Sequence, residues 1–510
     1  MLDQIAKLPL LVIVIGFSAL MMLLPAAHAS VTGDDWVAGT FFLSAALTFC
    51  LASFLAIALL DRPRSDRPRR HLLSLVVLFV FLPALLAVPF HQGVRNTTYL
   101  NAYVEMISCL TTTGASLFHE PGRLSPSLHL WRATVGWMGG LFVWITAIAV
   151  LAPMALGGFE VRTRRHVITG GQFTQIDRVA NLSARVRKYA TQLLPVFVGL
   201  TLALWLGLII VGDGPLLALI NAMSTMSTSG ITMPISATLD IPQAGYGGEV
   251  MIAIFLVFGV SRLAFTRDGT GSEINAFRND PEVRLAAFII VTVPLFLFAR
   301  HFLGAYEVSS EMTIWSGLGS LWGSVFTTLS FLTTTGFISE AWDTSTAWSG
   351  LSTPGLILMG LALVGGGVAT TAGGAKLLRV WALYTHGKRE LDKLIHPNSV
   401  AGMGSEARHI RRGGAYSAWL FFMLMTLSVA LIMLAFSFTG ENFEQAVVLT
   451  VASLTTTGQL AEVAASEPIR YAALTTSGKL VLSLGMILGR LEMLAIVALL
   501  SPDVWARRSG

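Results

Sequence analysis

A four-residue signature of hydroxyl residues closed by glycine recurs four times along this chain, at a spacing too regular for chance and too long for a solenoid or propeller. The copies are Thr111-Thr112-Thr113-Gly114, Ser227-Thr228-Ser229-Gly230, Thr333-Thr334-Thr335-Gly336 and Thr455-Thr456-Thr457-Gly458. Their glycines lie 116, 106 and 122 residues apart, far longer than the period of a solenoid or propeller. Each copy closes a short apolar run and precedes another hydrophobic span. Four similar units in one chain can surround a common axis.

Hydrophobic spans set the surroundings of these units. The chain is 54% hydrophobic and only 12% charged, which for 510 residues points to a membrane class. Spans near the length needed to cross a hydrocarbon core fall at Leu8–Ala27, Val37–Leu60, Leu72–Phe90, Leu128–Met154, Leu193–Val211 and Val250–Phe265. Four more fall at Leu285–Phe302, Gly350–Tyr384, Tyr416–Phe438 and Leu480–Leu500. Four shorter runs, Tyr99–Leu110, Pro215–Met226, Leu318–Leu332 and Phe443–Leu454, are too short or too polar to span, and each leads into a signature. The pattern predicts ten crossings and four re-entrant helices.

Charge gives an independent test, because short cytoplasmic loops collect Lys and Arg. With the N-terminus inside, the inward segments Met1–Lys7, Asp61–His71, Gly157–Ala190, Thr266–Arg284, Lys376–Ala415 and Ser501–Gly510 hold 26 of the 34 Lys and Arg. The outward segments carry acids such as Asp34, Asp35, Glu120, Glu340, Glu441 and Glu462. All four signatures then lie on the outer side, and both termini are cytoplasmic. The net charge of +5 follows from this orientation and from anionic lipid headgroups, so nucleic-acid binding is not inferred. Lys7, an apolar run and Ala27-His28-Ala29 also fit a signal peptide, but the Arg-rich 61–70 loop favours an uncleaved two-helix hairpin. Cys50 and Cys109 imply no disulfide framework.

The expected fold is therefore an all-α integral membrane protein. A two-helix hairpin (residues 1–70) precedes four pore repeats at 71–160, 185–268, 284–390 and 413–510. Each repeat runs outer helix, re-entrant pore helix, Thr/Gly strand and inner helix. In lipid, non-helical backbone is tolerated only where protein buries it or where it lines water, so four such strands must face one another. A glycine with φ > 0 lets the preceding carbonyls turn inward, and rings of carbonyls can replace the hydration shell of an alkali ion. Pore-helix C-termini add partial negative charge aimed at the path. Divalent ions would call for carboxylates, which the signatures lack. Alternatively, Thr and Gly could merely allow close helix packing, but four copies on one predicted side favour a cation pore.

These residues resemble the Trk/Ktr/HKT superfamily of potassium transporters, and among them the TrkH-type bacterial uptake subunits. The resemblance runs from Leu72 to Trp505 and is strongest at Tyr103–Ser116, Asn221–Thr232, Val364–Arg379 and Met486–Trp505. It implies K⁺ uptake across a bacterial inner membrane by a fourfold pseudosymmetric pore, in a homodimer, working with a cytoplasmic TrkA-type subunit that binds the nucleotide. No covalent cofactor and no enzymatic activity are expected. Na⁺ and Rb⁺ are the other candidate ions, and a channel is not distinguished from proton- or sodium-coupled symport. The resemblance assigns K⁺ binding to Thr112, Thr113, Gly114, Thr228, Ser229, Gly230, Thr334, Thr335, Gly336, Thr456, Thr457 and Gly458. In the superfamily a Ser in place of the first glycine is associated with sodium, so Gly114 favours potassium. Departures are Ser229, where relatives often carry Gly or Thr, and the fourth repeat, which reads Thr-Thr-Thr-Gly-Gln where relatives are often more divergent.

Two further constellations complete the expectation. Gly365, Gly366, Gly367, Gly373 and Gly374 surround Thr370 and Thr371 within one inner span, and at about 1 kcal/mol per glycine a broken helix is favoured over a continuous one. The resemblance makes this loop a gate below the filter, with Ala369-Thr370-Thr371 where Gly-Ser-Thr is commoner; tight helix packing is the plain alternative. Arg490, within the last inner span, would cost about 2.5–3.5 kcal/mol in lipid. It should therefore face protein or a water-filled path, and the resemblance makes it a barrier to cations; pairing with a buried carboxylate is the alternative. Arg262 is expected to snorkel to the interface. Glu105 and Asn221, each nine residues before a signature glycine, are expected to brace the filter. The basic 162–188 and 376–412 loops are docking surfaces for a regulatory subunit or solvated loops near lipid. Competing readings are a sodium-permeable or weakly selective channel, and an organic-solute carrier, which should show two related halves instead of four units.

Overall fold

The computed structural model describes residues 10–59, 68–120, 122–152, 158–159, 182–234, 243–261, 280–308, 314–342, 355–396 and 414–491. Among these residues every regular element is helical. An N-terminal hairpin is built from α1 (Leu10–Met21), α2 (Leu23–Thr32) and α3 (Asp35–Leu59). It packs on the helices of the first unit, α3 on α4 and α2 on α6.

The first unit comprises α4 (Pro68–Val94), short α5 (Tyr99–Leu110) and α6 (Pro126–Thr146), which continues as a π turn, Ala147–Leu151. The second comprises α7 (Leu182–Val211), short α8 (Pro215–Ser227) and α9 (Gly245–Leu256) with a 3₁₀ turn, Val257–Gly259. The third comprises α10 (Pro281–Val308), α11 (Ile314–Leu332), α12 (Gly355–Val364) and α13 (Leu377–Ile395). The fourth comprises α14 (Gly414–Phe438), short α15 (Phe443–Leu454), a single turn α16 (Leu460–Val463) and α17 (Thr476–Leu491).

Local chemistry starts the short helices. Thr98 accepts a hydrogen bond from Asn101 N at α5, Pro215 occupies the first turn of α8, and Asn442 with Gln445 forms a capping box at α15. Seven helices of the described residues are long and apolar enough to cross a membrane. Of the other three predicted crossings, one breaks into α12 and α13, and α9 and α17 run up to residues outside the described set.

Burial separates the helices into two layers. In α6, 89% of the apolar window is buried, against 22% in α7, α10 and α14. The latter expose Ile210, Phe288, Phe296 and Leu431, as helices that meet hydrocarbon do. The buried layer forms a ring. Each unit's inner helix packs on the short helix of the next unit: α6 on α8, α9 on α11, α12 on α15, and α17 back on α5. That last contact joins the end of the described chain to its first unit and closes the circle.

Candidate functional site

The four signatures adopt one local structure. In each, the second residue has a left-handed backbone: Thr112 at φ 56°, Thr228 at 50°, Thr334 at 56° and Thr456 at 54°. For a β-branched residue this is a strained conformation costing on the order of 1–3 kcal/mol, which persists only where the surroundings enforce it. The enforcement is visible. The first hydroxyl donates back into the short helix, Thr111 to Ile107 O, Ser227 to Met223 O, Thr333 to Leu329 O and Thr455 to Val451 O, at 2.7–2.9 Å. The third residue's N–H also folds back, to Ser108, Ser224, Ser330 and Ala452 carbonyls. First and third hydroxyls then meet each other at 2.8, 3.0, 3.0 and 3.3 Å.

This network explains why the signature is hydroxyl-rich and why Ser229 is tolerated: positions one and three need a hydroxyl, and serine supplies it. Only the second position leaves its hydroxyl for other use. Four strands of this shape then form a ring in chain order. A methyl group placed on Gly114 would overlap the Ser229 carbonyl, and one on Gly230 the Thr335 carbonyl; one on Gly336 would meet Gln459, and one on Gly458 Thr113 and Ala115. Gly114, Gly230 and Gly336 also take φ of 71°, 62° and 84°, which a side chain would resist. All twelve residues read from the sequence as ion-binding are brought together by this ring.

The fourth strand departs from the others. Gly458 does not share the positive φ of the other three; its N–H donates to Thr113 O at 2.7 Å and its carbonyl accepts from Tyr471 Oη at 2.7 Å. Burial pushes the Tyr471 phenol well above its usual range, with Glu462 adding to the shift, so it stays a donor. The next residue, Gln459, extends across the other strands. Its Nε2 lies 2.7 Å from Gly230 O and 3.4 Å from both Gly114 O and Ser229 O.

Behind the ring, polar groups hold the segments that follow Gly114 and Gly336. Glu105 is fully buried; Oε2 accepts from Leu117 N at 2.8 Å and Oε1 from Arg132 Nε at 2.7 Å. Thr327, also nine residues before its glycine, sits 3.5 Å from Ser339 N. Asn221 reaches instead to Asp213, which takes Ala244 N at 2.7 Å. Glu249 accepts from Trp322 Nε1, Ser339 Oγ and Glu340 N at 2.8–2.9 Å. Neither Arg132 nor Glu249 belongs to a motif visible in the sequence. For Arg132 the available signal is a charge inside the apolar α6 span.

The glycine-rich segment lies directly against three of the four strands. Between Val364 and Leu377 the helix is interrupted. Gly373 N donates to Thr334 Oγ1 at 2.6 Å, and the Thr371 and Thr228 hydroxyls are 3.1 Å apart. Gly367 N donates to Gly259 O, and Val368 N donates to the buried Glu282 at 3.2 Å. Gly365 and Gly374 take φ of 72° and 74°, and Gly366 packs on Ala372 and Gly259. Ala369, where the resemblance would place glycine, carries φ 59°. The second-position hydroxyls of Thr112 and Thr456 are buried and have no hydrogen-bond partner among the described residues. The loop thus hydrogen-bonds the second-position hydroxyls of strands two and three, and its Gly373 packs on strand four, where a methyl group would overlap Thr455 O and Thr456 Oγ1. Arg490 is buried in the last turn of α17. Arg262 and residues 162–181 and 397–412 of the basic stretches lie outside the described residues, and the first half of the second stretch is the helix α13 rather than a loop.

The chemistry assembled here is neutral hard oxygen: backbone carbonyls and threonine hydroxyls, with no carboxylate in the strands. Such a set suits partial dehydration of a monovalent cation and does not suit tight divalent binding. Among the described residues no cluster of His, Cys, Asp or Glu could hold a resident metal.

Comparison with known proteins agrees with this architecture. The family model of TrkH, described as cation transport protein, matches residues 318–505. The chain is 28% identical over 443 residues to the Trk system potassium uptake proteins TrkH of Salmonella typhimurium and of Escherichia coli K12, covering 86% of each partner in both cases. It is 26% identical to TrkI of Halomonas elongata over 91% of this chain and 90% of that one. The crystal structure of the potassium transporter TrkH from Vibrio parahaemolyticus superposes with a TM-score of 0.80 at 23% identity, covering 99% of this chain and all of the other. The resemblance to the TrkH type carried by the four signatures therefore extends across nearly the whole chain, and these relatives are transporters rather than enzymes.

Proposed function

We propose that this chain is a TrkH-type potassium-uptake pore of the bacterial inner membrane, with both termini cytoplasmic. The observation that carries the reading is the closed ring of four strands, each with a left-handed threonine and each held from behind by its own short helix. Carbonyls and hydroxyls of the four signatures form the selectivity filter and bind K⁺. The membrane potential drives entry, contributing about 2.3 kcal/mol per charge at 100 mV. The loop from Gly365 to Lys376 is the gate, since it holds two of the four second-position threonines by hydrogen bonds. Arg490 adds a fixed positive charge to the barrier. Four pore repeats at 71–160, 185–268, 284–390 and 413–510 follow the hairpin, and the inward basic loops meet a nucleotide-binding regulatory subunit of the TrkA kind in a homodimeric assembly.

A weakly selective variant of the same pore is favoured by one specific observation, the fourth strand, where Tyr471 takes the Gly458 carbonyl. Uptake of ⁸⁶Rb⁺ into liposomes holding the purified chain, competed by K⁺ or Na⁺, separates the two. Competition by K⁺ alone, loss of that preference in Gly336→Ser and faster uptake in Arg490→Ala are expected for the potassium pore. Equal competition by Na⁺ selects the weakly selective form. Absence of uptake at any imposed voltage, with a regulatory partner present, overturns both.

A further inference from the structure

Gln459 is the one side chain of the fourth strand segment that touches all three other strands. Its Nε2 lies within 3.4 Å of Gly114 O in strand one and within 2.7 Å of Gly230 O in strand two. Its Oε1 and Cδ lie where a methyl group on Gly336 of strand three would sit. A group anchored on one member of a ring that reaches the other three must lie over the centre of the ring. The orientation of the amide follows from its neighbours: Gly114 O, Ser229 O and Gly230 O are all acceptors, so the NH₂ faces them. Oε1 is then left buried with no hydrogen-bond partner among the described residues. An amide normally avoids such an arrangement.

We propose that Gln459 is a tethered plug at the glycine level of the filter, its NH₂ standing where a partly dehydrated monovalent cation would otherwise meet the carbonyls of strands one and two. The proposal rests on the reading of this ring as an ion filter and adds an occupant to it. An amide NH₂ carries partial positive charge and at most two donors, so it satisfies these carbonyls less fully than a cation does. An arriving ion displaces the side chain, and the stranded Oε1 regains water when it swings out. Gln459 therefore competes with the transported ion and sets its half-saturating concentration.

Three full-length variants in liposomes test this. Gln459→Ala removes the competitor, and the half-saturating Rb⁺ concentration is expected to fall about three- to tenfold, the range of one amide hydrogen bond. Gln459→Lys puts a permanent ammonium in the same place, and uptake is expected to fall at least tenfold with the elution profile and melting temperature of the native chain. Gly114→Ser, run in parallel, reports on the filter itself. Should Gln459→Lys not fold, the rise in melting temperature with added K⁺ decides instead, since ligand linkage makes it larger in Gln459→Ala than in the native chain. An unchanged half-saturation and K⁺-induced shift in Gln459→Ala, or wild-type uptake through Gln459→Lys, overturns the plug. If Gly114→Ser changes ion preference in that case, the filter reading survives without it. If the native chain passes no Rb⁺ and Gly114→Ser alters nothing, the filter reading fails and the plug fails with it.

Discussion

Strands one and four carry the same four letters, Thr-Thr-Thr-Gly, and only one of them behaves as the letters suggest. Both place the second threonine in the left-handed region, and both tie the first hydroxyl to the short helix. They part at the glycine. After Gly114 the chain runs out toward Leu117, whose N–H is caught by Glu105. After Gly458 the chain turns at once into the helical turn α16, and Gly458 O is caught by Tyr471. The hydroxyl network inside the motif fixes its first three residues, whereas the segment beyond the motif decides the conformation of its glycine. A signature read as a unit is thus two devices: an anchor determined locally and a carbonyl determined by its neighbours.

The contrast can be broken most forcefully from strand one. Glu105 and Arg132 form a 2.7 Å ion pair in which both side chains are essentially buried, and removing one partner of such a pair costs about 3–5 kcal/mol because it strands the other. Glu105→Ala should therefore lower the denaturation midpoint in detergent more than any single substitution in strand four, while Gln at the same position should recover part of the loss. A loss under about 1 kcal/mol, the worth of an ordinary hydrogen bond, would mean that strand one needs no brace and that the contrast with strand four is cosmetic.

The seam between strands three and four carries the next largest effect. At Gly336 the three atoms nearest an added methyl belong to Gln459, and Gln459→Ala removes two of them, Oε1 and Cδ, so Gly336→Ala should be partly less damaging to Rb⁺ uptake in that background, with the Cβ contact and the φ of 84° remaining. The two sites are expected to couple by about 0.5–3 kcal/mol in a double-mutant cycle. Gly114, which meets the Ser229 backbone as well as Gln459, should gain far less from the same background. Additivity at Gly336 would dismiss the contact.

Smaller effects sharpen the comparison. Tyr471→Phe deletes only the hydroxyl that holds Gly458 O and should destabilise by about 1 kcal/mol. In the same variant the preference for K⁺ over Na⁺ should move severalfold, because strand four is released from its side bond; an unchanged preference would remove that carbonyl from the permeation account. The smallest change is Thr457→Ser, which keeps the hydroxyl that Thr455 needs and loses one methyl, for about 0.8 kcal/mol. Ser229 already occupies this position in strand two. Thr457→Val, which loses the hydroxyl instead, should cost more, as seen in melting temperature.

How much of this molecule is legible in its sequence depends on the range of the forces involved. The short helices Tyr99–Leu110 and Phe443–Leu454 occur at the residues read from hydropathy, and Pro215–Ser227 ends one residue later than expected. Apolar spans report burial in lipid residue by residue, so length and composition suffice. The glycine cost at Gly365–Gly374 likewise predicts an interruption from local propensity alone. Long-range partners are not legible. Glu105 can be expected to act as a brace, but its pairing with Arg132, 27 positions on, depends on how α5 and α6 pack. Glu249, Tyr471 and Gln459 act on strands other than their own or across a loop, and nothing near them in the chain marks those targets. Asn221 has the same register as Glu105 yet serves Asp213, which shows that equal spacing from a glycine does not guarantee an equal task.

Among the described residues the glycine-rich interruption occurs in one quarter of the ring; it hydrogen-bonds Thr228 and Thr334, packs through Gly373 on Thr456, and makes no hydrogen bond to Thr112. Four separate subunits around an axis would carry four copies of any such device and could open in stages. A single chain with one copy has a stoichiometry of one. On the proposed reading of this loop as the gate, its release is one event per ring, and the response of one chain to an opening effector should show a Hill slope of one where four coupled subunits could reach four.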